Sequence, residues 1–518
     1  MRYAQQNVVS MRRRPHRAVA RTASIPAPVG GWNARDALGE MEATDAVILT
    51  NLFPSTTQVQ LRFGHERHAT GLPSQANTLI AYSGGTTNEL FAISGTAVYD
   101  VTAAGAVGAA ELSGLTNDKW QYVNVTTAGG SFIEMCNGTD AVYTYNGTNW
   151  TDQSGNITGV TSSTLIGINV HKNRVWFIQS GTLKAWYLPA ASISGAAAAL
   201  DLSAFCPHGG YLMAMGTWTM DAGYGVDDMA VFITSNGDCL VYRGTDPASA
   251  STWALVGVFW LGAPVGRRCM VKYMGDLLII TQDGVVPLSG ALQSSRLNPR
   301  VAITDKIQRA VSEAVSSYGT VYGWQLIPFP QQNMLILNVP VTVGSQQQYV
   351  MNTITGAWCN WNSLLANCWE LFSEDIYFGG NGFVGKAWSG TSDAGAGIQW
   401  RALQAYNYFG ARGQSKRFTM FRPTFQYTNL PTVLGNMAID FDQSVPVPQL
   451  SVSGVGSDAA WDSATWDSAT WGGYTFSRSW QGTSGVGYAG APNISGVSSN
   501  TELNWISTDV VIEPGGIL

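Results

Sequence analysis

Leu90-Phe91-Ala92-Ile93-Ser94-Gly95-Thr96-Ala97-Val98-Tyr99 is an apolar run, a tight turn and a second apolar run, which together spell a β-hairpin. Ser-Gly, Asn-Gly and Asp-Gly accept the positive φ angles of such turns, and the flanking β-branched and aromatic residues pack as strands. The same grammar returns in Phe132-Ile133-Glu134-Met135 with Asn137-Gly138 and Ala141-Val142-Tyr143, and in Val175-Trp176-Phe177-Ile178 with Ser180-Gly181 and Leu183-Lys184-Ala185-Trp186. It recurs in Ala230-Val231-Phe232-Ile233 before Asn236-Gly237, in Leu277-Leu278-Ile279-Ile280 before Asp283-Gly284, and in Ile376-Tyr377-Phe378 before Asn381-Gly382. The turn glycines Gly95, Gly138, Gly181, Gly237 and Gly284 are 43, 43, 56 and 47 residues apart, a period that fits a four-stranded propeller blade. Between Gly284 and Gly382 there is room for one more unit, read as Met334-Leu335-Ile336-Leu337 with Tyr349-Val350-Met351, plus an insertion. The expectation is an all-β chain with a β-propeller of six or seven blades over residues 76–390.

Outside that span the texture changes. Residues 391–518 read as strands separated by Gly, Ser, Pro and Asn, a β-sandwich-like platform domain, and residues 28–75 are expected to pack with it. The insertion holds one short amphipathic helix, Ile303 to Tyr318, with Ile307, Val311, Ala314 and Val315 on one face and Thr304 and Asp305 as N-cap candidates. Two five-residue copies beginning at Trp461 and Trp466 lead into Trp471; the odd spacing suits an exposed loop whose tryptophans contact a partner.

Charged residues make up 12% of the 518, about half the roughly 25% of ordinary soluble domains, which suits a surface covered by neighbouring subunits. The net charge of −6 argues against a general nucleic-acid binder. One local exception is a basic arm over residues 1–27: Arg2, Arg12, Arg13, Arg14, Arg17 and Arg21, with His16 and no acidic residue before Asp36. It reads either as a flexible or partner-docked tail or as a DNA-contacting arm. No secretory leader and no membrane-spanning run is expected. Six dispersed cysteines read as buried thiols, and the triplets Asn137-Gly138-Thr139 and Asn146-Gly147-Thr148 as turn chemistry.

Catalytic and cofactor signals are weak, and no catalytic, metal or cofactor residue is assigned. Gly380-Asn381-Gly382-Phe383-Val384-Gly385-Lys386 matches dinucleotide and phosphate-loop patterns but lacks the helix whose N–H groups would hold a phosphate, and Gly485 to Gly490 fails likewise. His65 and His68, and Cys206 with His208, are incomplete metal sets, and Asp227-Asp228 and Glu374-Asp375 sit on hairpin flanks. A propeller glycosidase would want several arginines from different blades; Arg174, Arg243, Arg267, Arg268 and Arg296 are candidates by position alone. A receptor- or carbohydrate-binding propeller is a third reading, motivated by nineteen tryptophans and twenty tyrosines.

Several stretches carry a resemblance. They are Pro28-Val29-Gly30-Gly31-Trp32-Asn33-Ala34-Arg35-Asp36, Leu49-Thr50-Asn51-Leu52-Phe53-Pro54 and Arg62-Phe63-Gly64, then Gly262-Ala263-Pro264-Val265-Gly266-Arg267-Arg268-Cys269. Lys416-Arg417-Phe418-Thr419-Met420-Phe421-Arg422-Pro423, Trp505-Ile506-Ser507-Thr508-Asp509 and Glu513-Pro514-Gly515-Gly516 complete the set. In these the chain resembles the tail nozzle, or tail tubular B-type, structural proteins of short-tailed bacteriophages. The resemblance implies a non-enzymatic virion subunit, assembled in the bacterial cytoplasm into a homo-oligomeric ring of six copies. Its partners would be the tail adaptor protein, tail fibre or spike proteins, the bacterial cell envelope, and genomic DNA passing through the channel. Such a channel should be neutral or acidic, because a basic wall would retain phosphates.

Overall fold

The structure is a computed structural model and describes residues 19–85, 87–221, 226–291, 301–342, 345–452, 454–455, 475–477 and 479–515. Every one of the seven hairpins read from the sequence forms, and each is the second and third strand of a propeller blade. At their turns the backbone enters the left-handed region, at φ 82° for Gly138 and 91° for Gly237. The strands that the hairpin pattern did not mark lie before and after each pair. Blade 2 is Gln121–Thr127, Gly130–Cys136, Tyr143–Tyr145 and Trp150–Asp152; blades 3 and 4 run from Leu165–His171 to Ala198–Asp201 and from Leu212–Asp221 to Trp253–Trp260.

The innermost strands adjoin one another in turn. Residues 76–83 neighbour Gln121–Thr127, then come Leu165–His171, Leu212–Asp221, Met270–Tyr273, Gln325–Phe329 and Cys368–Phe372, which returns to the strand His65–Ser83. The ring is therefore closed and has seven blades. Its closure is a clasp: residues 65–75 of His65–Ser83 pair as the outer strand of blade 7, from Ala387↔His65 to Asn381↔Gln75, while the second half of the same strand is the inner strand of blade 1. Of the segment 28–75 expected to pack with the platform, residues 65–75 thus pair within the propeller.

Each gap between blades has its own apolar filling. Ile80, Phe91, Trp120 and Ile133 lie between blades 1 and 2, Val125, Val142 and Phe177 between 2 and 3, and Trp176, Phe232 and Tyr242 between 3 and 4. Each such side chain withdrawn from water contributes roughly 1.5–3 kcal/mol, so blade-on-blade packing holds the ring together.

Blade 5 has three paired strands, Met270–Tyr273, Asp276–Thr281 and Gly284–Pro287. The helix of the insertion, Gln308–Tyr318, packs beside it, with Ile307, Val311 and Ala314 buried against Val285, Leu337 and Tyr349. It serves local packing. The expected caps do not form: a short 3₁₀ turn, Asp305–Ile307, precedes the helix, the Thr304 hydroxyl accepts from Val285 N, and Asp305 pairs with Arg35.

The platform is a sandwich of two sheets. One centres on Lys416–Tyr427 and Leu503–Pro514, flanked by Gln481–Gly487, Val59–Leu61 and Leu52–Pro54. The other continues blade 6 without a break: Trp358–Trp361 is followed by Asp45–Thr50, Ile398–Gln404, Gly490–Ser498 and Thr432–Ile439. Phe418, Phe421, Phe425, Trp400 and Trp505 fill the space between. Arg21–Pro26 is an edge strand on Leu503–Pro514, in register from Arg21↔Ile512 to Pro26↔Ser507, so the C-terminal end of the expected arm is part of the platform sheet.

Candidate functional site

Two polar constellations stand out, one where the domains join and one on the propeller axis. At the joint, Arg62 is 1% exposed. Its guanidinium meets Asp393 through two bonds of 2.8 and 2.6 Å, and it also donates to Asn51 Oδ1, Phe63 O and Asn362 O. His65 Nδ1 lies 3.3 Å from the same carboxylate. Burial alone would raise the Asp393 pKa, but the bonds to Arg62 and His65 hold it below the usual range. Asn51, at φ 57°, ties in the end of blade 6 by donating to Asn362 Oδ1 and Gln399 O. Next to this latch, Trp388 stacks on Trp361 at 5.6 Å and meets Phe63 edge-on.

A second latch joins the N-terminal segment to the insertion of blade 5. Buried Asp45 accepts from Asn33 at 2.8 Å and from Lys306 at 2.7 Å, and Lys306 also donates to Gly30 O. Gly31, at φ 81°, lies so close to the Trp358 backbone that an added Cβ would stand 2.6 Å from Trp358 O. Trp32 meets Tyr349 of blade 6 edge-on at 5.3 Å.

On the axis, a cavity of about 440 Å³ is lined by inner strands of all seven blades, including Leu79, Gln121, Tyr122, Ile168, Met215, Met270, Gln325 and Glu370. Neighbouring inner strands are stitched side chain to backbone, as by Asn169 to Met215 O, and by Gln325, which both donates to Trp369 O and accepts from its N–H. Two arginines cross from the approach to blade 5. Arg268 donates to Asn77 O, Thr78 Oγ1 and Trp120 O of blades 1 and 2, with its guanidinium 5.4 Å from the Tyr322 ring. Arg267 reaches Asn137 O on the blade 2 turn. Enclosure pushes Glu370 up to about 7, against a hydrogen bond from Tyr122 and the charge of Arg268. Enclosure also opposes the charge of Arg268, but Tyr322, Cys368, Glu370 and Tyr122 around it raise its pKa overall.

Of the residues singled out in the sequence, Arg267 and Arg268 meet at the axis. Arg174 is engaged at the side of blade 3 with Asp246 and Leu188 O, so among the described residues it does not join Arg267 and Arg268 in a ring. Arg296, the arm residues Arg12, Arg13, Arg14 and Arg17, and the tryptophans Trp461, Trp466 and Trp471 lie outside the described residues. His65 turns to Asp393 and His68 to Val101 O, Cys206 donates to Leu202 O, and His208 pairs with Asp238 at 2.6 Å. Among the described residues no group of three or more His, Cys, Asp and Glu side chains is placed to hold a metal. All six cysteines are free and buried, and burial pushes the Cys239 and Cys269 thiols up to about 12. Gly380 joins two hairpin strands and Gly385 sits on the second, where an added Cβ would strike Phe383 and Phe378 respectively; the pattern makes room for two rings, and Lys386 pairs with Asp375. Asn137 and Asn146 each accept from two backbone N–H groups just ahead, as turn residues do.

Sequence reasoning missed Glu370, Tyr122 and Gln121. Glu370 alone left a trace, as an acid inside the apolar run Cys368-Trp369-Glu370-Leu371-Phe372.

No family model and no curated protein matches the chain. Among solved structures it is similar to one described as the crystal structure of BBS1N in complex with ARL6DN, soaked with lead, at 10% identity and a TM-score of 0.40, covering 64% of this chain and 99% of that one. The mercury-soaked counterpart gives 9% identity and a TM-score of 0.37, covering 65% and 98%. At such scores the architecture rests on the strand pairing above.

Proposed function

We propose that the chain is a non-enzymatic structural subunit of a short-tailed bacteriophage tail, of the nozzle type, which assembles with further copies into a ring around the path of the ejected DNA. The observation that carries this reading is where the stretches behind the resemblance lie. Gly30 to Asp36, Leu49 to Pro54 and Arg62 to Gly64 build the two latches; Gly262 to Cys269 leads into the axial arginines; Lys416 to Pro423 and Trp505 to Asp509 are the paired central strands of the platform, tied by Arg422 and Asp509 at 2.5 Å. Residues that mark the family thus go to rigidity. With a sheet running from blade 6 into the platform, the two domains form one stiff piece suited to a load-bearing wall.

The axis of one propeller is crossed by Arg267 and Arg268, and a double helix whose major groove alone is about 12 Å wide has no passage there. In this reading the DNA path runs between subunits, with the platform facing neighbours and the adaptor. Electron microscopy of the purified chain and of virions tests it. Rings, and the chain located in the tail below the portal, are expected; a persistent monomer absent from the particle overturns it.

A receptor- or carbohydrate-binding role has one observation in its favour: Phe205, Tyr211 and Trp260 are exposed around the loop before blade 4, with His208 beside Trp260 at 5.7 Å. Glycan binding lost in Trp260→Ala, in a chain that forms no ring, would move the conclusion there.

A further inference from the structure

The axial cavity holds polar capacity that the packing does not use. Arg267 is exposed to it and is held through one nitrogen only, to Asn137 O, which leaves most of its planar donor fork free. The side-chain amide nitrogen of Gln121, shut away from bulk solvent in the wall, has no hydrogen-bond partner. Glu370 also lines the cavity, and Leu79, Ile168, Met215, Met270 and Leu326 supply apolar surface in its wall. Two guanidinium groups and a single carboxyl group line the cavity, and Arg268 acts on the Glu370 carboxyl. The volume of about 440 Å³ falls within the range of small-molecule sites, roughly 300–1,000 Å³.

We propose that this cavity binds a small organic acid, a compact molecule with one carboxylate and a hydroxyl-bearing body about the size of a hexuronic acid. Arg267 takes the carboxylate through its free fork, a geometry that guanidinium groups satisfy with paired bonds. Arg268, pinned to Asn77, Thr78 and Trp120, contributes fixed charge. The apolar surface covers the C–H face. Protonated Glu370 donates a further bond, whereas ionised Glu370 repels the ligand. The groups that face Glu370 are Tyr122 from blade 2 and Arg268 from blade 5, with Tyr322 and Cys368 around that arginine. Since enclosure places the Glu370 pKa at about 7, affinity falls as the pH rises through neutrality. This role is independent of where the chain sits in a particle.

Calorimetric titration of the full-length chain with glucuronate, glucose and inorganic phosphate tests the proposal. Glucuronate is expected to bind one to one at pH 6 and at least fivefold more weakly at pH 8, with glucose and phosphate at least tenfold weaker than glucuronate at pH 6. Arg267→Ala, a change at an exposed side chain, should lose tenfold or more. Glu370→Gln should keep binding and lose its pH dependence. No heat with glucuronate, equal binding of glucose or phosphate, unchanged affinity in Arg267→Ala, or an unaltered pH profile in Glu370→Gln overturns it.

Discussion

The domain joint and the propeller axis each enclose an arginine, and they treat it in opposite ways. Arg62 meets a carboxylate through two bonds and fills its remaining positions with carbonyl oxygens, and Asp393 is held below the usual carboxylate range. Arg268 meets carbonyls, a hydroxyl and a ring, and the nearest acid, Glu370, is pushed up to about 7. A buried charge with its counter-charge in place acts as a latch. One whose partner is poised between two protonation states leaves a site that responds to its surroundings.

The sharpest way to break this contrast is Arg62→Ala. It strands Asp393 in the joint and should cost about 3–5 kcal/mol, read as separate melting of platform and propeller in calorimetry; a single unchanged transition would refute the latch. The joint also has a pH signature. The folded Asp393 pKa is depressed, so its contribution is present above the unfolded value of about 3.9 and is lost as the pH falls through the folded one.

Glu370 has the opposite sign. Its raised pKa means that the folded chain holds an extra proton between 4.5 and about 7, so its contribution is present below 4.5 and lost as the pH rises through about 7. Glu370→Gln should therefore stabilise the protein above pH 7 by on the order of 1–2 kcal/mol, after allowance for water in the cavity, and leave stability near pH 4 unchanged; denaturant titrations at both pH values check this. Gly64→Ala probes the joint through the backbone: an added Cβ would stand 1.8 Å from Ser392 O, and a loss of about 1–3 kcal/mol is expected in the same assay. The smallest effect belongs to Lys386→Ala. Its pair with Asp375 is partly exposed, so a change under about 1 kcal/mol and no nucleotide binding in either form are expected, by melting and by titration with ATP.

The outer architecture was legible because hairpin turns announce themselves locally. Asn137-Gly138 or Asn236-Gly237 can be read without knowing what lies on either side. The inner strands carry no such mark. Gln121–Thr127 and Leu165–His171 mix polar with apolar residues because their unpaired edge lies on the axis while their faces meet neighbouring blades. The clasp was grouped with the segment packing on the platform for a similar reason: His65-Glu66-Arg67-His68 is polar because it forms an outer strand. The latches could not be read, since Arg62 and Asp393 lie 331 residues apart and their meeting is a product of ring closure.

That clasp also sets an order on synthesis. Residues 65–75 leave the ribosome early, but their pairing partner, Asn381–Ala387, follows some 300 residues later. At about 5–20 residues per second the early strand waits roughly 15–60 s with an unsatisfied edge. During that interval the equivalent late strand of another nascent copy is a competing partner, so crowded polysomes should yield swapped dimers that dilute translation avoids.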